Sequence, residues 1–70
     1  MAQTPYNRLL QNEMRKHGLS VRRLGKLVDP DNPERGRRRV QRHLAGTQPS
    51  STSKAAYARV LDAPHLGLER

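Results

Sequence analysis

Apolar residues in this chain recur at helical spacing in four separate stretches, and nowhere do they alternate in the two-residue rhythm of a strand. Tyr6, Leu9, Leu10, Met14 and His17 share one face of a first helix, with Thr4 as its cap, Pro5 at its first position and Gly18 closing it. Ser20 caps a second helix whose apolar face is Val21, Leu24, Leu27 and Val28. Gly25 sits inside that helix at a cost on the order of 1 kcal/mol relative to alanine, which points to a close approach by a neighbouring helix. Pro30 disfavours helical geometry at the residue before it, so Asp29 to Asn32 (DPDN) is a turn.

The third helix, Asn32 to Gly46, is the segment around which the chain is organised. Asn32 is a preferred cap, Pro33 suits the first helical position, Glu34 complements the positive helix end, and Gly46 supplies the left-handed closing residue. At about 100° per residue, Val40 and Leu44 point one way, with Gly36 and Pro33 near them. Arg38, Gln41, Arg42 and Ala45 point outward, and Arg37 lies at the edge. Thr47 to Ser53 is a polar loop in which Ser50 and Ser51 are equally plausible caps. A fourth helix then runs to about Asp62 with Ala56, Tyr57, Val60 and Leu61 inward, and Pro64 stops it. Residues 1–62 form one domain. Residues 63–70 are a tail, either disordered or docked on a second copy through Leu66 and Leu68.

Charge changes this picture from a generic bundle to a specific one. The 70 residues carry a net charge of +8 and no cysteine, so neither disulfides nor thiolate metal sites are available. Five arginines fall between Arg35 and Arg42, and past Glu34 the third helix has no acid. A solvated helix normally mixes signs to gain i,i+4 pairs, whereas this surface calls for an external polyanion. His17, His43 and His65 are too far apart in sequence for a local zinc motif, so no metal or cofactor is expected. No apolar run is long enough for a transmembrane helix or signal peptide, which leads to a cytoplasmic expectation.

A second helix, a connection and a basic helix held by one narrow stripe make the layout of a helix-turn-helix DNA reader. At "HGLS", "LGKLV", "VQRHLAG" and the following "QPS", the chain resembles the lambda-repressor-like (Cro/repressor type) helix-turn-helix domains. The resemblance covers roughly Leu9 to Leu61. It includes an apolar residue six positions before the closing glycine, as Val40 stands before Gly46, and a proline soon after, Pro49. The chain departs from the family by extra residues from Pro30 to about Glu34, and by His43 where an aliphatic side chain is usual.

The resemblance implies an all-α fold, a small four- to five-helix bundle of helix-turn-helix type. By position it assigns Arg37, Arg38, Gln41 and Arg42 to base reading. Arg35 and Arg39 are expected on phosphates, as are Ser20, Arg22 and Arg23 at the start of the second helix and Thr47, Gln48 and Lys54 beyond the third. The function implied is sequence-specific binding of double-stranded DNA by a phage or mobile-element transcriptional repressor, with an excisionase-like or architectural recombination factor as the alternative. An arginine-rich RNA module ranks lower, since only Tyr6 and Tyr57 are available to stack bases. No carboxylate pair or partnered nucleophile suggests an enzyme. A membrane-surface helix would need bulky apolar residues opposite the charge, which the third helix lacks. A homodimer is expected to be weak alone and stronger on DNA.

Overall fold

The computed structural model describes residues 5–67, which form α1 (Tyr6–Lys16), α2 (Val21–Val28), α3 (Pro33–Leu44), α4 (Ser51–Val60) and a final 3₁₀ turn, Pro64–Gly67. The protein is a small all-helical bundle. Local chemistry sets most of these boundaries. The Ser20 hydroxyl accepts from the Arg23 amide at 3.2 Å, Asn32 Oδ1 from the Arg35 amide at 3.1 Å, and the Ser50 hydroxyl from the Ser53 amide at 3.3 Å. Ser50 rather than Ser51 is therefore the α4 cap. For α1, Pro5 occupies the cap position itself, so the helix starts at Tyr6, one residue later than expected. Thr4, the preceding residues and Leu68 lie outside the described residues.

Three helices close with the same double hydrogen bond. After α3, Gly46 at φ +118° donates to the His43 carbonyl and Thr47 donates to that of Arg42. After α1, Gly18 and Leu19 repeat the pattern on Arg15 and Met14. After α4 the left-handed position is held by Asp62, at φ +50°, and Ala63 donates to the Ala58 carbonyl. That reversal ends α4 at Val60 rather than near Asp62 and turns the chain back onto the core.

The core joins Leu10 and Met14 of α1, Leu24 of α2, Val40 of α3, and Tyr57 and Leu61 of α4 with Ala63 and Leu66. The expectation of a loose or dimerising tail is thus corrected for residues 63–67. Leu66 is fully buried, and the Tyr6 hydroxyl donates to its carbonyl at 2.7 Å. Apolar area on a single short bundle is scarce, and the chain uses Leu66 to close its own core.

The most extensive contact between elements is α2 on α3, and it is backbone against backbone. A Cβ at Gly25 would lie 2.6 Å from the Arg37 Cα, and one at Gly36 would lie 2.9 Å from the Gly25 carbonyl carbon. The two glycines face each other, so the close approach expected at Gly25 is real and Gly36 is its partner. Asp29–Asn32 makes the turn between the helices, with the Asn32 amide on the Asp29 carbonyl at 3.1 Å. As expected from the residue order, Asn32 caps α3 and Pro33 and Glu34 form its first turn, so the extra residues lengthen α3 at its start.

This contact turns both helices from their expected orientations. On α2 the buried face is Leu24 and Gly25 flanked by Val21 and Val28. Leu27 lies about 110° from its centre at 100° per residue and is 48% exposed instead of inward. On α3 the buried stripe is Gly36, Val40 and His43. It is rotated by about 50° from the Val40–Leu44 direction, leaving Leu44 half-buried at the edge and Pro33 exposed.

Two stability outcomes follow from this packing. Gly25→Ala and Gly36→Ala are each expected to destabilise by about 2–3 kcal/mol, because overpacking against a backbone exceeds the roughly 1 kcal/mol of helix propensity gained. Denaturant unfolding measures this, and an unchanged or raised midpoint for both would refute the crossing. Leu66→Ala is expected to cost about 2–4 kcal/mol, as deletion of a buried leucine does. A surface-like loss under 1 kcal/mol would detach the final turn from the core.

Candidate nucleic-acid interface

With Gly36, Val40 and His43 turned inward, the opposite side of α3 presents Arg38, Gln41 and Arg42, all exposed, together with Ala45. Arg37 and Arg39 flank the stripe and are half-buried. The α3 arginines divide into two sets, because acids near the start of the helix engage only two of them.

Arg35 is the first. Its Nε and Nη2 donate to the two carboxylate oxygens of buried Asp29 at 2.7 and 3.2 Å. This bidentate clamp spans the α2–α3 turn and holds the Asp29 carboxyl below the usual carboxylate range, with the Asn32 amide assisting. Arg35, expected on phosphate, also braces the turn through this pair while its side chain stays exposed. Arg37 is the second, expected to read bases but paired with Glu34 one turn earlier. The Arg37 guanidinium lowers the Glu34 carboxyl, and Arg38 and Arg22 add to the effect from nearby.

The other expected contacts fall into place unevenly. Arg22 and Arg23 are exposed at the start of α2, while the Ser20 hydroxyl is occupied as its cap. Thr47 and Gln48 are exposed beyond α3. Lys54 is half-buried, with its ammonium 5.5 Å from the centre of the Tyr6 ring, a cation–π position that draws it toward α1.

His43 was not among the candidate residues, and it is 6% exposed. Its Nδ1 lies 2.6 Å from the Tyr57 hydroxyl, and the two rings meet edge-on at 5.5 Å. Burial, then the charges of Arg42 and Arg39, hold its pKa below the ordinary value of 6.5. Beside it an open cleft of about 360 Å³ separates the end of α3 from the start of α4, with Arg39, Arg42 and Thr47 on one wall and Ser50, Thr52 and Ser53 on the other. In the residue order, His43 attracts notice only as a histidine where the resemblance leads one to expect an aliphatic side chain.

No family model, no curated protein and no solved structure matches this chain. Among the described residues, no helix is long and apolar enough to cross a membrane.

The lowered His43 pKa has a defined consequence for stability. Between the ordinary imidazole value and the lower folded value, the unfolded chain binds a proton that the folded chain does not. Stability is therefore full above about pH 6.5 and declines as pH falls through that window. Thermal melts in phosphate-free buffer are expected to show a falling midpoint from pH 7 to 5.5, well before carboxylates titrate. A flat profile across that range would contradict a buried, neutral His43.

Proposed function

We propose that this chain binds double-stranded DNA sequence-specifically, with the outward face of α3 in the major groove. One observation carries the reading. Arg38, Gln41 and Arg42 stand together on the exposed face of a helix anchored from behind by α2, and no acid follows Glu34 on α3. A major groove about 12 Å wide admits one such helix. Arginine pairs bidentately with guanine O6 and N7, and glutamine with adenine N6 and N7, so these side chains suit base edges. Since Arg35 and Arg37 are engaged by Asp29 and Glu34, reading shifts toward the C-terminal half of α3.

Arg22, Arg23, Thr47 and Gln48 border the helix at positions suited to the phosphate backbone. The tyrosines favour duplex over single strands. Tyr57 is buried and Tyr6 is half-buried with its hydroxyl engaged, so neither forms a stacking platform. Repression by occupying an operator is the role we assign. Two copies on half-sites about 34 Å apart would lengthen the sequence read. Because Leu66 serves the chain's own core, pairing should be weak without DNA.

Selection of bound duplexes from a random pool tests the reading, followed by titration of the recovered site. The affinity is expected to fall with salt at a log–log slope of about −4 to −8. A flat response would sink it. Arg38→Ala and Gln41→Ala should each weaken the selected site by roughly 1–3 kcal/mol more than random DNA. Arg37→Ala should alter that difference less, because its guanidinium is already paired. Uniform losses in all three variants would remove α3 as the reading element.

A further inference from the structure

The cleft between α3 and α4 contains donors with no matching acceptor, and their protonation can be followed from one hydroxyl. Burial pushes the Tyr57 phenol up to about 12, so its oxygen keeps its proton at neutral pH. Among the described residues that hydroxyl has a single hydrogen-bond partner, His43 Nδ1 at 2.6 Å. The tautomer that gives this hydroxyl proton an acceptor has Tyr57 donating to Nδ1 and the neutral imidazole proton on Nε2, and we adopt it. Nε2 has no partner within the described chain. No fully buried side-chain nitrogen or oxygen there is unpaired, so Nε2 keeps some solvent access, and His43 lines the cleft. Arg39 and Arg42 line the same cleft. So does the first turn of α4, where the Ser51 and Thr52 amides lack acceptors among the described residues.

We infer that this cleft is an oxyanion site that seats one backbone phosphate of bound duplex, with His43 Nε2–H as a donor from its inner wall. The inference rests on the DNA reading for the source of the phosphate, but the chemistry of the site is that of any phosphate oxyanion. Two guanidiniums, an imidazole N–H and a helix N-terminus converge where no carboxylate lines the wall. Among the described residues, the charged and titratable groups around His43 are Arg39 and Arg42 on α3 and Tyr57 on α4, with the ring of Tyr6 of α1 tilted 42° to that of Tyr57 at 6.4 Å and Lys54 above Tyr6. An anion in the cleft opposes the two arginines and stabilises the imidazolium. Binding then takes up a proton, and affinity rises as pH falls.

The test is nitrogen-15 NMR of the histidine rings in the intact protein, titrated with pH in chloride, in inorganic phosphate, and with the selected duplex. The exposed His17 and His65 report the general field in the same spectra. In chloride, His43 is expected as the Nε2–H tautomer. Duplex should shift its Nε2 signal and raise its pKa more than those of His17 and His65. Duplex affinity at constant salt should rise about threefold from pH 7.5 to 6. A response to inorganic phosphate without duplex binding would keep the oxyanion site and remove the DNA reading. A response to duplex but not to free phosphate would support the backbone as the source. An Nδ1–H tautomer in chloride, or duplex binding that leaves His43 no more affected than His17 and His65, would overturn the inference and leave the DNA reading standing.

Discussion

Two glycines with nothing between them set the geometry of this protein. Each would cost its helix on the order of 1 kcal/mol in isolation, and both are kept because only a missing Cβ lets α2 lie on the α3 backbone at Gly25 and Gly36. Such a contact leaves little rotational freedom. It dictates that Gly36, Val40 and His43 face inward, and hence that Arg38, Gln41 and Arg42 face out. The Asp29–Arg35 clamp works on the same joint from its open end, tying the turn to the first residues of α3. The Asn7 side chain holds the far end through the Leu44 carbonyl at 3.2 Å. A rigid support of this kind is what a base-reading helix requires, since small misplacements disrupt bidentate hydrogen bonds.

The same arrangement sorts the arginines by their electrostatic surroundings. Near the start of α3, Asp29 and Glu34 compensate Arg35 and Arg37, and the helix dipole there favours those acids. Toward its end, Arg38, Arg39 and Arg42 form no ion pair among the described residues, and the field of Arg42 and Arg39 reaches His43 and disfavours its protonation. Uncompensated like charge on one face weakens a small folded domain, and an external polyanion relieves it. A ligand that binds only the folded chain stabilises it by mass action, so under the proposed function duplex DNA would raise the stability of the fold.

Much of this was legible in the residue order where the controlling physics is local. Ser20, Asn32 and Gly46 mark helix ends because their hydrogen bonds span only a few residues. Gly25 announced a close approach because nothing else justifies glycine at mid-helix. What escaped was rotational and long-range. Leu27 and Leu44 are as apolar as their neighbours, and only the position of the partner helix decides which leucine faces the core. Arg35 finds Asp29 across a turn, at a spacing no helical rule anticipates. Arg37 and Glu34 stand at i,i+3 and were open to recognition, but Arg38 at i,i+4 competes for the same acid. Leu66 looked spare because the reversal at Asp62 depends on a non-glycine residue taking a left-handed conformation.

A polar thread through the core completes the support of α3. The Leu66 carbonyl accepts from Tyr6, whose ring leans on Tyr57 at 6.4 Å, and the Tyr57 hydroxyl meets His43 on the inner face of α3. Buried polar groups are costly when half-satisfied and orienting when fully paired, and no buried side-chain polar atom in the described residues lacks a partner. The glycine contact fixes both the approach of α3 and its turn about its own axis, and the hydrogen bond between His43 and Tyr57 reinforces that turn. His43 thereby ties the rotational setting of the outward arginine face to the cleft that it helps to line.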